Sequence, residues 1–263
     1  GMAKTGLRPF ATIYSTFLQR GFDQVFQEVA LQQLPVRFCM DRAGLVGGDG
    51  AVHHGFLDVA YLRSFPKMVL TAAIDEPSLR AALEFMRTHD DGPSAVRYPR
   101  DTVPEVDDAQ PTPPFELGKA HLLAPGSDLA ILAYGFPAQH ALEARRVLGE
   151  EGLSVAVYDA RFAKPVDVEL LEELIGDDIP ILTVEDHHVT GGFGSCVVET
   201  YHDRKLATAG IHRLAIPDTW IYQGSRTQQL AEAGIDAESI AARVREIAKG
   251  LPRVRAKTRL RAG

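Results

Sequence analysis

The sequence has 263 residues, of which 45% are hydrophobic and 24% charged, and its formal net charge is -7. These are globular proportions, and the negative charge argues against nucleic acid as the main partner, because phosphate backbones are bound by basic surfaces. No apolar run approaches the roughly 18 residues of a membrane span, and no secretory signal is apparent. The two cysteines, Cys39 and Cys196, lie in apolar runs and are expected as buried thiols, which favours a reducing compartment.

Short apolar runs alternate with amphipathic stretches, a pattern typical of βα units and a largely parallel sheet. In the first part of the chain the strands are predicted at 10–14, 36–40, 68–72 and 95–98. Helices are predicted at 18–32 and 76–88, the second with Pro77 in its first turn, where proline is tolerated. A glycine-rich loop, residues 41–55 (DRAGLVGGDGAVHHG), follows the second strand.

A boundary follows, because five prolines and a cluster of acids lie between Pro99 and Pro114. This composition predicts a semi-rigid linker over 101–115, with one α/β lobe before it (1–100) and another after it (116–250). In the second lobe, strands are predicted at 129–133, 155–158, 181–184 and 213–216. Helices are predicted there at 137–150, 166–175, 193–202 and 237–249. The fold class is thus α/β, with two three-layer lobes of mostly parallel sheet, and the basic residues 251–263 are expected as a solvated tail.

The glycine-rich loop is the strongest chemical signal, since ligands of open α/β sheets bind outside the carboxyl ends of the strands. It brings Arg42 and His53 together with Asp49 after a strand end. Arginine with histidine suits an anionic, oxygen-rich substrate, and the histidine can exchange protons near neutral pH. The alternative is an ordinary surface loop with a solvated charge cluster.

Three other segments are weaker signals. SAVRYPR ends at Arg100 and could aim guanidinium groups at a phosphate, although basic residues at strand ends usually face water. YSTFLQR begins a helix after a strand, and Phe17 within it is, taken alone, better explained as core. VEDHHVTGGFG, residues 184–194, lacks a dinucleotide or P-loop pattern, and His187 with His188 is a poor metal pair, so interface packing is the preferred interpretation.

Taken together, YSTFLQR, DRAGLVGGDGAVHHG and SAVRYPR resemble the 1-deoxy-D-xylulose-5-phosphate synthase family of the transketolase superfamily. The resemblance continues through YDARFAKPVD, VEDHHVTGGFGS and IPDTWIYQG, and it covers the chain up to the basic tail. Asp-Arg-Ala-Gly is fairly specific and separates this family from transketolase and from dehydrogenase E1 β subunits. The first lobe would be most of a pyrimidine-binding domain, incomplete at its N-terminus, and the second a transketolase C-terminal domain.

The resemblance implies a transferase that condenses pyruvate with glyceraldehyde 3-phosphate and releases carbon dioxide, using thiamine diphosphate and Mg²⁺, to make an isoprenoid and thiamine precursor. Phe17 would stack on the aminopyrimidine ring of the cofactor. The residues implied to hold the acceptor phosphate are Tyr14, Arg42 and Arg100. Those implied to surround the reacting carbons are His53, Asp49 and Arg20, and no metal ligand is assigned.

Two positions depart from the family pattern. Val52 stands where a threonine is common, and Asp101 follows Tyr-Pro-Arg where a glycine is usual. A carboxylate beside a phosphate site would weaken anion binding unless it points away. The cofactor-activating glutamate and the motif for magnesium and diphosphate are implied to lie upstream, so the chain alone is expected to bind the cofactor poorly and to be inactive.

Several partners and functions stay open on the sequence. The resemblance implies a homodimer, with a separate N-terminal thiamine-diphosphate-binding chain as a further partner. The alternatives are a non-catalytic dimerisation module, or the β-type subunit of a two-chain transketolase or 2-oxo acid dehydrogenase. The expected location is the bacterial cytoplasm, and a plastid fits the same features.

Overall fold

The computed structural model describes residues 1–103, 112–208 and 210–250. Most of the predicted linker, residues 104–111, and all of the predicted basic tail, residues 251–263, lie outside the described residues. The boundaries proposed for the two lobes therefore stay predictions.

The first sheet has five strands in the order β1-β2-β4-β3-β8. Its first four strands are parallel, and their bounds are Phe10–Tyr14 (β1), Arg37–Asp41 (β2), Val69–Ala72 (β3) and Ser94–Arg97 (β4). Every residue of β3 and β4 is buried, as expected for a parallel sheet covered on both faces. The four strands predicted in this lobe are confirmed to within a residue at each end.

The helices of the first lobe are only partly as predicted. A short helix, α3 (Asp58–Leu62), was not predicted, whereas α4 (Glu76–Thr88) has the predicted bounds. Helix α4 begins at a capping box, in which Asp75 accepts the Ser78 N–H and the Ser78 hydroxyl accepts the Asp75 N–H. Reciprocal caps of this kind satisfy amide groups that a first turn leaves unpaired.

The single helix predicted over 18–32 is wrong in detail. The segment starts directly after β1 as α1 (Ser15–Leu18), passes through a tight turn and a second short helix, α2 (Phe22–Gln24), and ends in the wide turns of Val25–Ala30. The tight turn, Gln19–Gly21, contains a glycine, and glycine weakens a regular helix. The broken course leaves Phe17, Phe22 and Phe26 partly exposed.

The second sheet has the order β10-β9-β6-β7-β5, and only its edge strand β5 runs antiparallel. The strands are His121–Ala124 (β5), Leu129–Tyr134 (β6), Val155–Asp159 (β7), Ile181–His188 (β9) and Ile211–Ile216 (β10). The helices are Pro137–Glu150 (α5), Val168–Gly176 (α6), Phe193–Asp203 (α7), Arg226–Ala233 (α8) and Ala237–Lys249 (α9). The two-lobe α/β fold class is confirmed, and β5 and α8 are additions to the prediction.

The remaining strand, β8 (Phe162–Lys164), follows β7 in the sequence but joins the other sheet. It pairs antiparallel with β3, with Leu70 opposite Lys164 and Thr71 opposite Phe162. The Ala72 N–H also donates to the Arg161 carbonyl at 3.0 Å. The second lobe therefore completes the first sheet, and the two lobes share one hydrophobic core that includes Leu70, Tyr134 and Phe193.

Candidate functional site

The candidate site lies where β1, β2 and β4 end. Tyr14 and Asp41 are register partners in the last position of their strands, and Arg97 closes β4 three residues before Arg100. Because these strands are parallel, their carboxyl ends meet at one edge of the sheet. The glycine-rich loop leaves β2 at this edge.

Aromatic rings form one wall of the site. The Tyr14 and Phe17 rings are stacked with their centroids 4.8 Å apart, and the Phe17 ring meets the edge of His53 at 5.8 Å. The Arg42 guanidinium lies 3.9 Å from the centroid of the Tyr14 ring. Phe17 is 49% exposed, so the interpretation of this residue as ordinary core is wrong.

Charged groups lie next to this aromatic wall. The Asp49 carboxylate lies between two guanidinium groups, 3.7 Å from Arg42 Nε and 3.1 Å from Arg100 Nη1. Arg42 also pairs with Asp41 and has a backbone φ of 58°. The buried Nε of Arg42 has no hydrogen-bond partner among the described residues. A buried donor in that state is suited to an anionic ligand.

The geometry of His53 fixes its tautomer. Its Nδ1 lies 3.2 Å from the Asp49 carbonyl oxygen, which can only accept, so Nδ1 carries the proton of the neutral ring. The Nε2 atom is then the proton acceptor, and the ring can exchange a proton with a bound molecule.

Six of the seven residues singled out in the sequence converge at this edge, namely Tyr14, Phe17, Arg42, Asp49, His53 and Arg100. Arg20 is the exception. It is exposed in the turn Gln19–Gly21 and makes no ion pair or hydrogen bond with any described residue. The structure gives no contact through which Arg20 would support the site.

The two residues that depart from the family pattern, Val52 and Asp101, have different surroundings. Val52 is 81% exposed, so its side chain faces solvent. The Asp101 carboxylate accepts from Arg226 Nη1 at 2.6 Å and from the Thr102 N–H at 2.8 Å. The negative charge next to Arg100 is thus paired with an arginine of the second lobe.

Side chains of the second lobe hold the backbone of the glycine-rich loop, a feature that the sequence did not indicate. The Leu45 N–H donates to Asp186 at 3.1 Å, and Arg226 Nε donates to the Leu45 carbonyl at 2.9 Å. Gln229 accepts from the Gly47 N–H at 2.7 Å and donates to the Gly47 carbonyl at 3.0 Å. These partners are more than 100 residues from the loop, so no local pattern could have identified them.

Beneath the loop lies a buried group of charged side chains between the lobes, here called the junction cluster: Asp58, Arg97, Glu185, Asp186 and His187. Arg97 Nε pairs with Asp58 at 3.2 Å and its Nη2 donates to the Asp186 carbonyl at 2.9 Å. The Ala60 N–H donates to His187 Nε2 at 3.3 Å, across the lobes. The interpretation of residues 184–194 as interface packing agrees with these contacts.

Burial sets the protonation of two members of the junction cluster. It lowers the pKa of His187 to about 4, against the pull of Asp58, so the ring is neutral. Burial also raises the pKa of Glu185 to about 7, although the N–H groups of Phe193 and Gly194 oppose this by donating to the carboxylate at 2.6 and 2.8 Å. The carboxylate thereby caps the start of α7.

The described residues fit one end of thiamine diphosphate. The exposed face of Phe17 suits an aminopyrimidine ring, since flat aromatic groups stack in an offset manner. Among the described residues, no group of three or more His, Cys, Asp or Glu side chains could hold a metal ion. None of the helices in the described part of the chain is both long and apolar enough to cross a membrane.

Comparisons with known proteins agree with this architecture. Residues 1–105 match the family model described as transketolase, pyrimidine binding domain, and residues 118–240 match transketolase, C-terminal domain. A solved structure described as a split gene transketolase, inactive β4 tetramer, has a TM-score of 0.82 and 29% identity, covering 94% of this chain and 78% of that one.

The chain therefore belongs to the transketolase family, with a pyrimidine-binding and a C-terminal transketolase domain. Its curated relatives include proteins named 1-deoxy-D-xylulose-5-phosphate synthase. The Synechococcus relative is 43% identical over 260 residues, which is 96% of this chain and 40% of the relative. The Thermomicrobium roseum relative is 46% identical over 246 residues, covering 92% of this chain and 38% of its own length. The chain thus corresponds to the C-terminal portion of these relatives and spans about two-fifths of their length.

Proposed function

We propose that this chain provides the acceptor-binding side of a thiamine-diphosphate-dependent transferase that condenses pyruvate with glyceraldehyde 3-phosphate to 1-deoxy-D-xylulose 5-phosphate, with loss of carbon dioxide. The observation that carries the proposal is the convergence of two guanidinium groups on Asp49, beside His53 and an exposed aromatic ring. The names of the curated relatives support the choice of reaction.

The phosphate of the acceptor would bind to the phosphate clamp, which we define as Tyr14, Arg42 and Arg100. Two guanidinium groups can donate several charge-assisted hydrogen bonds to a phosphate, and the Tyr14 hydroxyl adds one more. Asp49 holds both guanidinium groups within 3.7 Å before the ligand arrives, which limits the reorganisation that binding requires.

His53 would act on the carbonyl oxygen of the acceptor. The aldehyde oxygen gains a proton as the new carbon–carbon bond forms, so His53 would enter this step doubly protonated and would donate from Nε2, while its Nδ1–H stays on the Asp49 carbonyl at 3.2 Å. When bound, thiamine diphosphate would supply the carbon nucleophile and take up the electrons released as pyruvate loses carbon dioxide. Phe17 would orient its pyrimidine ring.

We further propose that the diphosphate and Mg²⁺ are held by a thiamine-binding portion outside the residues described. That portion would be another segment or a separate chain. Phe22 and Phe26, which are exposed on the same helical segment as Phe17, would offer apolar surface to a second copy of the chain. Light scattering on the purified chain should give at least twice its mass of 28.7 kDa, and a clean monomer would contradict homodimer formation.

The test is complementation. The purified chain is assayed with pyruvate, glyceraldehyde 3-phosphate, thiamine diphosphate and magnesium, alone and with the remaining N-terminal part of the Synechococcus relative, which this chain does not match. Calorimetry follows cofactor binding in both samples. We expect neither tight cofactor binding nor product from the chain alone, and both from the mixture. An Arg100→Ala chain should bind the cofactor in the mixture yet need far more acceptor.

Two results would contradict the proposal. Turnover by the isolated chain would show that it holds the whole cofactor. A mixture that assembles and binds cofactor but makes no product would favour the alternative of a non-catalytic dimerisation module.

A second candidate is the β-type subunit of a two-chain transketolase. The likeness to a protein described as a split gene transketolase favours it. The choice of donor separates the two candidates, because a transketolase uses a ketose phosphate in place of pyruvate. We expect pyruvate to be the donor, since Asp-Arg-Ala-Gly at 41–44 favours the synthase.

The proposed location is the bacterial cytoplasm. Both cysteines are free and buried, as expected in a reducing compartment, and the curated relatives named above are bacterial. Fractionation of the source cells with an antibody to the chain tests this directly, and recovery in an oxidising compartment would contradict it.

A further inference from the structure

We infer that Arg226, at the start of α8 in the second lobe, is a positioning residue for the phosphate clamp. The inference rests on the proposed function, because it concerns the same clamp. It assigns to the C-terminal domain an indirect part in acceptor binding, exerted through Asp101 and the backbone of the glycine-rich loop.

The contacts of Arg226 fix its orientation on every side. Nε donates to the Leu45 carbonyl at 2.9 Å, Nη1 to Asp101 at 2.6 Å and Nη2 to Asp186 at 2.9 Å. The guanidinium also lies 4.7 Å from the centroid of the Phe136 ring. Its side chain is only 10% exposed, so these bonds are made largely out of water and hold one geometry.

Two of these contacts reach the two segments that carry the clamp arginines, here called its arms: the glycine-rich loop with Arg42, and the end of β4 with Arg100. Leu45 belongs to the loop that carries Asp49 and that begins at Arg42, and Asp101 directly follows Arg100. The arms come from different strands, β2 and β4, and Arg226 joins them through one rigid planar group. Losing that link would let Arg100 move relative to Asp49, which it now meets at 3.1 Å.

Gln229 provides a comparison within the same helix. It is buried, it accepts from the Gly47 N–H and donates to the Gly47 carbonyl, and it also donates to the Tyr222 carbonyl at 2.8 Å. It therefore supports the loop but has no contact with the Arg100 arm. Arg226, by contrast, contacts both arms directly, through the Leu45 carbonyl and the Asp101 carboxylate.

The removal of Asp101 should change the phosphate affinity in opposite directions, depending on whether Asp101 acts only through its charge or positions Arg100. Removing a carboxylate close to an anion site should tighten phosphate binding by Coulomb attraction, and it would also leave Arg226 unpaired. If Asp101 instead serves to anchor Arg100, its removal should weaken phosphate binding. The sign of the change therefore decides between the two roles.

The experiment is a double-mutant cycle on the full chain, with inorganic phosphate as the probe and NMR titration as the measurement. The variants are Asp101→Ala, Arg226→Gln and the double substitution, whose net charge equals that of the original chain. We expect each single variant to bind phosphate about fivefold more weakly or worse, and the double variant to be no weaker than Arg226→Gln alone, because both remove the same link.

Two further variants serve as controls. Arg226→Lys keeps the charge but cannot make three directed bonds, so we expect it to resemble Arg226→Gln. Arg245→Gln removes the same charge from α9, where Arg245 pairs with Glu151 at 2.6 Å on the surface, and its phosphate affinity should match that of the original chain. Thermal melts confirm that each variant is folded at the titration temperature.

Three outcomes would overturn the inference. Tighter binding by Asp101→Ala, with the double variant restored to the original affinity, would mean that the pair acts through charge only. Unchanged affinity in every variant would remove the positioning role while leaving the clamp intact. Absence of phosphate binding by the original chain would overturn the clamp in the proposed function, and the positioning role with it.

Discussion

The phosphate clamp and the junction cluster both contact the same loop, and both are rich in charge. Their side chains differ in burial and in how many hydrogen bonds and ion pairs they make. In the junction cluster, Arg97 is 4% exposed and is enclosed by Asp58 and by backbone carbonyls. In the clamp, Arg100 is 51% exposed and meets one carboxylate, while the Nε of Arg42 has no hydrogen-bond partner among the described residues. Charges that are buried and paired fix the scaffold, whereas an arginine as exposed as Arg100 keeps donor groups available for a ligand.

The largest expected effect on stability comes from replacing an arginine of the junction cluster, compared with replacing an arginine of the phosphate clamp. Arg97→Leu should lower the free energy of unfolding by roughly 3 to 5 kcal/mol, because it strands the buried Asp58 charge. Arg100→Leu should change it by less than about 0.5 kcal/mol. Urea unfolding of both variants measures the difference, and similar losses would remove the distinction between the two regions.

A pH dependence should belong to the junction cluster. The pKa of His187 is lowered to about 4 in the folded chain, below the ordinary value of 6.5, so the unfolded chain binds a proton first as the pH falls. The stability that depends on neutral His187 is therefore present above pH 6.5 and is lost towards pH 4, by roughly 3 kcal/mol in all.

The measurement is urea unfolding across this pH range for the original chain and for His187→Gln. Glu185, whose pKa is raised to about 7, acts in the opposite direction over much of the same range. Both proteins keep Glu185, so the difference between their curves isolates the histidine. Parallel curves would mean that folding does not lower the pKa of His187.

A pair of glycines in the loop tests how closely the junction cluster supports it. Gly44 has a φ of 75°, and a Cβ there would lie 2.0 Å from Asp186 Oδ2, so Gly44→Ala should cost about 2 kcal/mol or more. Gly48 faces open space, with nothing within 4 Å of a Cβ. Gly48→Ala is thus the matched control and should stay within about 0.5 kcal/mol in urea unfolding. Equal costs would mean that the loop is not held against Asp186.

The smallest expected change in stability is at Phe17, on the ligand side. Because its ring is half exposed, stacks on Tyr14 and has an edge contact with His53, Phe17→Leu should cost less than about 1 kcal/mol. The same variant should bind thiamine diphosphate more weakly in the complemented assembly, measured by calorimetry. A large loss of stability with unchanged cofactor affinity would show that Phe17 is a core residue and does not contact the cofactor.

The sequence predicted the strands well and the tertiary partners poorly, for one physical reason. Strands such as β6 (Leu129–Tyr134) are continuous apolar runs buried on both faces, so their signal is local. Helix α8 is short and mostly polar, and the sequence prediction missed it although its capping box, Ser225 with Gln228, is a local signal. Whether Asp101 harms the phosphate site could not be judged from its neighbours, because the arginine that pairs with it lies 125 positions away.

The course of β8 also has a consequence for synthesis on the ribosome. The first sheet has all its parallel strands once Arg97 has been made, but its last edge stays unpaired until Phe162–Lys164 has emerged. During that interval the open edge of β3 could pair with a neighbouring nascent chain. A fragment ended within the predicted linker would keep that edge open permanently, so its yield of soluble protein should be poor, although its own strands are complete.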